Sequence, residues 1–163
     1  MVGLLNYFCC TATEVCFMNK RALKTFVFYC SNHLEADQFA SPCHGLRGDT
    51  VKTIGLPCSG KVDVPYLIKA FETGADGVAV VTCRKDECRH FEGSARAHKR
   101  AEAVESLLEE IGLPAGRMAV FECGKSDASR VIGEIKQFID RVRNLPPAHA
   151  RSVAANQSEI TFA

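Results

Sequence analysis

Cysteine is the residue with the most chemistry to offer in this chain of 163 residues, where it occurs nine times. Cys30, Cys58, Cys83 and Cys123 each close a short apolar run, and Cys88 follows Cys83 by five residues in Cys83-Arg84-Lys85-Asp86-Glu87-Cys88. Such thiols can form disulfides, bind metal or do redox chemistry. Disulfide frameworks belong to small secreted domains short of core, whereas this chain has strongly apolar runs and no stretch patterned like a secretory signal. Intracellular metal or redox use is therefore favoured. Iron–sulfur clusters in particular are held mainly by thiolates, commonly four to a cluster.

Free cysteine is also a small apolar residue often buried near strand ends, so each of these thiols alone could be core. Cys58, Cys83 and Cys88 depart from that reading together. Cys58 lies in Pro57-Cys58-Ser59-Gly60, a turn whose Ser59 and Gly60 N–H groups could bond cluster sulfur, and a turn after Cys83 can bring Cys88 back to the same centre. Cys123 is assigned to the core. Cys43, in Ser41-Pro42-Cys43-His44-Gly45, is open as ligand or loop thiol. His33 makes a Cys-x-x-His spacing with Cys30 that suits zinc or a mixed iron–sulfur centre, although a histidine beside a strand end is more often a hydrogen-bonding residue. A thiol–disulfide couple of Cys83 and Cys88 is the weakest reading, for want of a Cys-x-x-Cys. His90 and His98 lie among Arg84, Lys85, Arg89, Arg96, Lys99 and Arg100, which read either as a solvated face or as a docking patch for an acidic partner.

The elements that must position these residues alternate. Thr25–Cys30, Val51–Cys58, Gly77–Cys83 and Arg117–Cys123 are rich in β-branched and aromatic residues, as buried strands are. Val64, Leu67, Ile68 and Phe71 share one helical face, stopped by Gly74. A longer helix carries Ala97, Ala101, Val104, Leu108 and Ile111, with Gly112 and Pro114 as stop signals. The last has Ser126 as N-cap, Val131, Ile135, Phe138 and Val142 on its buried stripe, and an end near Leu145. Residues 31–50 read as loop with one short helix around Leu34–Phe39. Strands alternating with helices predict a three-layer α/β fold, Rossmann- or flavodoxin-like, with a mostly parallel four-stranded sheet and helices on both faces. In such a sheet the carboxyl ends of the strands line one edge, where ligands usually bind. No GxGxxG follows the first strand, so an ordinary dinucleotide site is not supported.

With 47% hydrophobic and 24% charged residues, the chain has the composition of one globular domain, and a net charge of +1 carries no signature of nucleic-acid binding. Residues 1–23 are expected to be a leader, disordered or an extended gene start over 1–17, holding Cys9, Cys10 and Cys16. Its apolar stretch is too short to span a bilayer. Residues 24–145 form the domain, and 146–163, opened by Pro146-Pro147, a flexible tail.

From Cys58 to Leu145 the sequence resembles the methyl-viologen-reducing hydrogenase delta-subunit (MvhD/FlpD) iron–sulfur family. The resemblance is carried by PCSGKVD (57–63), AFETGADGVAVVTC (70–83), CRHFEGSARAHKR (88–100) and SLLEEIGL (106–113). It implies an α/β fold and a 2Fe-2S cluster, with Cys30, Cys58, Cys83 and Cys88 at the family's cysteine positions. It also implies a cytoplasmic electron carrier in an anaerobic oxidoreductase complex, with no substrate site of its own. Electrons would pass between two kinds of partner. One is a hydrogenase, formate dehydrogenase or other reductase subunit; the other is a heterodisulfide-reductase-like flavin and iron–sulfur subunit. Methylene-tetrahydrofolate reductase and aromatic-acyl-CoA reductase complexes are further settings. The sequence departs from the family where a Cys-x-x-Cys is usual after the first strand and Cys30-Ser31-Asn32-His33 stands instead. The alternative is a zinc-binding or cluster-free structural subunit. No partner nucleic acid and no membrane insertion are expected. On the electron-carrier reading, Arg84, Lys85 and Arg89 would help dock the partner.

Overall fold

The computed structural model describes residues 22–43 and 49–148. Most of the expected leader, with Cys9, Cys10 and Cys16, and most of the expected tail lie outside the described residues. Four strands, β1 (Lys24–Cys30), β2 (Thr50–Leu56), β3 (Gly77–Cys83) and β4 (Met118–Cys123), alternate with α1 (Ala36–Cys43), α2 (Val64–Glu72), α3 (Gly93–Glu110) and α4 (Ala128–Arg143). All strand pairs are parallel, in the order β2-β1-β3-β4. The three-layer α/β fold expected from the sequence is the fold observed.

The burial of each strand follows from its place. The central strands β1 and β3 are covered on both faces, so nearly every residue of TFVFYC and GVAVVTC is buried. The edge strands β2 and β4 are only partly buried. On one face, Val27, Tyr29, Ala79 and Val81 pack against Leu34, Phe39 and Cys43 at α1 and Val131, Ile135, Phe138, Ile139 and Val142 of α4. On the other, Phe26, Phe28, Val78 and Val80 meet Leu67, Ala70 and Phe71 of α2 and Ala97, Val104 and Leu108 of α3. Helix α1 runs farther than the sequence suggested because Phe39 and Cys43, one helical turn apart, are both fully buried against this core, Phe39 with its ring 5.2 Å from that of Tyr29.

Two helix ends differ from expectation. Ile111 is 73% exposed rather than buried. Helix α3 ends at Glu110, and Gly112 takes φ +83°, so that the Gly112 N–H bonds to Glu109 O and the Leu113 N–H to Leu108 O. This double C-terminal bond turns the chain back and puts Leu113, not Ile111, against the core. At the start of α4, Asp127 rather than Ser126 occupies the cap position, and its side chain makes no capping bond. Asp127 Oδ2 lies instead 2.5 Å from Arg84 and 3.4 Å from Arg130, because the sheet brings the exits of β3 and β4 together.

A buried carboxylate that the sequence did not reveal ties the two ends of the fold. Asp49 Oδ1 accepts a bond from the Leu23 N–H at 2.9 Å, its Oδ2 pairs with Arg143 near the end of α4, and the residue is buried. Removing the carboxylate strands a buried N–H and takes an ion-pair partner from a mostly buried guanidinium. Asp49→Ala should therefore lower unfolding free energy by roughly 3 kcal/mol, as read by denaturant titration.

Candidate metal centre

A parallel sheet of order β2-β1-β3-β4 has its chain reversal between β1 and β3, since β1 connects outward to β2 and the chain then crosses back to β3. The crevice beyond the strand carboxyl ends at such a point is where ligands bind in open α/β sheets. Cys30 is the last residue of β1 and Cys83 the last of β3, so two thiols flank the crevice. Strand β2 stops at Leu56, short of the expected end, which leaves Cys58 in the turn before the short 3₁₀ segment Ser59–Lys61. The Ser31 N–H to Leu56 O bond at 2.8 Å and the Asn32 side-chain bond to Pro57 O fasten that turn to the loop after Cys30.

One pocket is lined by Cys30, Cys58, Cys83 and Cys88, together with Asn32, His33, Glu87, Arg89 and His90. The four cysteines expected as ligands thus line one pocket, Cys30 and Cys58 from separate segments and Cys83 and Cys88 from one loop. Cys43 and Cys123 do not join them: both are fully buried in the core on the α1 and α4 face. His33 does line the pocket, with a side chain 6% exposed and Nε2 3.2 Å from Glu87 Oε2, though out of line for a hydrogen bond. Among the described residues, no three His, Cys, Asp or Glu side chains converge closely enough to hold a single metal ion.

Glycine at the start of α3 makes the gathering of sulfurs possible. A Cβ on Gly93 would sit 2.6 Å from Cys58 Sγ and 3.3 Å from Cys88 Sγ, so the helix backbone occupies the space beside both. A Cβ on Gly60 would meet Gly93 Cα at 2.6 Å. Arg100, two turns along α3, donates to Gly60 O at 2.6 Å and Val62 O at 2.8 Å, which bolts the turn after Cys58 to the helix. Ser94 Oγ lies 3.2 Å from Thr82 Oγ1, both buried, which fixes the helix start against β3. Ser59 and Gly60, expected as N–H donors, are not among the pocket-lining residues; Ser59 is buried with an unpartnered hydroxyl. Sequence reasoning did not single out Gly93 and Ser94, whose signal was the Gly-Ser pair opening a helix just after a cysteine loop, and it placed Arg100 only in the basic run read as a solvated face or docking patch.

The electrostatics separate the paired thiols. Burial, then a hydrogen bond given to Cys88 and the proximity of Cys88 and Cys30, pushes the Cys83 thiol up to about 12. Burial also raises Cys88, but backbone N–H groups of Ser94, His90 and Gly93 and the Cys83 bond outweigh it, so Cys88 falls below the ordinary thiol value. Cys43 is pushed up to about 11 by burial, partly offset by Lys136, and Cys123 is raised mainly by burial. A buried thiol whose ionisation its neighbours Cys88 and Cys30 oppose is one whose charge a bound cation would relieve.

The profile of the methyl-viologen-reducing hydrogenase delta-subunit family matches residues 26–146. The chain belongs to that family. The match begins before Cys30, so it reaches farther toward the N-terminus than the resemblance over 58–145. Relatives of this delta-subunit chain include the iron-sulfur subunit of the vhu F420-non-reducing hydrogenase of Methanocaldococcus jannaschii, 35% identical over 60% of this chain and 73% of that one. The iron-sulfur subunit of the F420-non-reducing hydrogenase of Archaeoglobus profundus is 32% identical over 60% of this chain and 72% of its own length. A subunit of the ferredoxin:CoB-CoM heterodisulfide reductase of Methanosarcina mazei is 29% identical over 60% of this chain but only 12% of its own. Among the described residues of the delta-subunit chain, no helix is long and apolar enough to cross a membrane.

The unequal thiols are testable in metal-free protein. At ~pH 8 Cys88, half-buried and of lowered pKa, should react with iodoacetamide at least about tenfold faster than buried Cys83, as read by peptide mass spectrometry.

Proposed function

We propose that this delta-subunit-family chain is an electron-transfer subunit that carries a 2Fe-2S cluster on the thiolates of Cys30, Cys58, Cys83 and Cys88. The observation that carries this reading is the pocket at the β1–β3 reversal, lined by those four cysteines, with a glycine where any side chain would displace two of their sulfurs. A two-iron cluster asks for two pairs of thiolates rather than one point of convergence, which suits a donor set drawn from three segments, one of them supplying both Cys83 and Cys88. When bound, the cluster would supply one-electron transfer.

The chain's own residues would hold and tune the group. The backbone N–H groups of Ser94, His90 and Gly93 favour the ionised Cys88 sulfur and would act as donors to it, and hydrogen bonds to ligand sulfur favour the more negative, reduced state. The N–H groups of Ser59 and Gly60, on the turn after Cys58, are proposed as further donors. Arg89 and His90 line the pocket and would add positive charge beside it.

The setting we propose is a cytoplasmic oxidoreductase complex of hydrogenase and heterodisulfide-reductase type. Relatives are named as hydrogenase iron-sulfur subunits, and in two Methanosarcina relatives a similar stretch is part of a heterodisulfide reductase subunit itself. A stretch joined to such a protein in one case and separate in another fits a partnership between the two. We therefore propose a heterodisulfide-reductase-type flavin and iron–sulfur protein as one partner. The other would be a subunit of a hydrogenase, formate dehydrogenase or other reductase.

A second reading has its own observation: His33 lines the same pocket with a buried Nε2 lacking an in-line hydrogen bond, a donor of the kind zinc takes, although the described side chains would have to draw closer together to hold one ion. Iron and zinc analysis of anaerobically purified protein, with an EPR spectrum after reduction, decides between the two. The expected result is about two irons per chain and an EPR signal in the reduced state. Cys83→Ser and Gly93→Ala should each lower the iron content, the second by crowding Cys58 and Cys88, while His33→Ala should leave it unchanged. Zinc without iron in the wild type, or full iron in Cys83→Ser, would overturn the cluster reading.

A further inference from the structure

Phe91 is 88% exposed and has φ +59°, the one non-glycine residue with positive φ among the described residues. A bulky side chain in the left-handed region is strained, and a large exposed aromatic gains nothing from burial. The turn explains the backbone. The Phe91 N–H bonds Cys88 O and the Glu92 N–H bonds His90 O, and the reversal directs the first N–H groups of α3 at the Cys88 sulfur. Glycine would make the same turn with less strain. What the turn does not explain is the ring.

We infer that Phe91 is the apolar anchor by which this chain docks on its redox partner, a heterodisulfide-reductase-type subunit offering an apolar pocket rimmed by carboxylates. The inference rests on the electron-transfer reading above and names the contact residue it leaves open. Phe91 lies three positions from Cys88 and follows Arg89 and His90, which line the pocket, so whatever covers the ring lies beside the thiols. Aromatic residues dominate binding energy at interfaces when fully desolvated, and charged neighbours mainly steer the encounter.

The charges around the ring indicate the rim. Of the basic residues expected to form a docking patch, Arg84 is engaged with Asp127, Arg96 with Glu92, and Arg100 with Asp63 and two carbonyls. The negative charge of Glu87 faces His33. Lys85 and Arg89, both exposed, have no ion pair among the described residues and lie on either side of exposed Asp86 and Glu87 in the chain. Two cations within six positions of Phe91 in the chain, without an ion pair among the described residues, favour an acidic border, and the limited net charge leaves the ring as the main source of affinity.

The experiment uses the full chain and the heterodisulfide-reductase-type protein of the same organism, the one similar to the Methanosarcina heterodisulfide reductase subunit, each purified anaerobically. Wild type, Phe91→Gly and Phe91→Leu are compared by calorimetric Kd, thermal midpoint, iron content and EPR spectrum. Phe91→Gly should keep the iron and spectrum, melt at the same or a higher temperature, and bind at least about tenfold more weakly. That loss should persist at about 1 M salt, where surface charges are screened within about 3 Å. Phe91→Leu should recover part of the affinity. An unchanged Kd in Phe91→Gly would overturn the inference while leaving the electron-transfer reading intact. A lowered midpoint or lost spectrum in that variant would overturn it too, by making the ring a structural contact within the chain. Wild-type protein that lacks iron or does not bind this partner would instead sink the reading beneath it.

Discussion

The candidate centre depends on the close approach of the α3 start to two cysteine sulfurs, which Gly93 permits by having no side chain. From that contact several others follow. The N–H groups of Gly93 and Ser94 reach Cys88, the backbone of Gly60 lies against Gly93, and Arg100 holds the turn after Cys58 from the next turns of the helix. The buried Ser94–Thr82 contact prevents the helix start from sliding along β3. The strained backbone at Phe91 belongs to the same arrangement, because it aims the helix terminus at the thiol three residues before it. Helix N-termini attract negative charge, so the fold places a favourable end beside a group that must ionise to bind metal.

The sheet supplies the rest of the geometry. Placing β1 and β3 side by side at the chain reversal sets Cys30 and Cys83 on one crevice, and β2 beside β1 brings the Cys58 turn to the same edge. Cys43 and Cys123 are the same residue type at neighbouring levels of the fold, yet they pack among the side chains of α1 and α4. Their thiols are raised mainly by burial, whereas Cys83 also feels other thiols and Cys88 receives backbone N–H groups. The surroundings, not the residue, separate a candidate ligand from a core cysteine.

Charge in the loop and helix after Cys83 serves structure more than its composition suggests. Arg84 joins the exits of β3 and β4 through Asp127, and Arg100 fastens a turn 40 residues away by two carbonyls. A guanidinium is suited to this because its planar fork can bridge two acceptors at once. What remains for a partner is a smaller patch: exposed Phe91, with exposed Lys85 and Arg89, which have no ion pair among the described residues, a few positions before it in the chain.

Much of this protein was legible in its sequence, because the information is local. Apolar runs marked the four strands, the unbroken apolarity of GVAVVTC suited a strand covered on both faces, and Gly74 and Gly112 stopped helices where a positive φ was needed. Cys30, Cys58, Cys83 and Cys88 could be picked out by their places at strand ends and in turns, and by the family motif. Tertiary structure decided which elements became neighbours. The strand order, the sharing of one pocket by those cysteines and the burial of Cys43 depend on contacts between segments that no periodicity links. The same holds for Asp127, which takes the cap position expected of Ser126 but pairs with Arg84, and for Asp49, whose partner Arg143 lies 94 positions away. Periodicity reports which face of an element is apolar, but what a side chain meets is set only when separate elements pack, and at Gly93 that meeting turned on the absence of a single carbon atom.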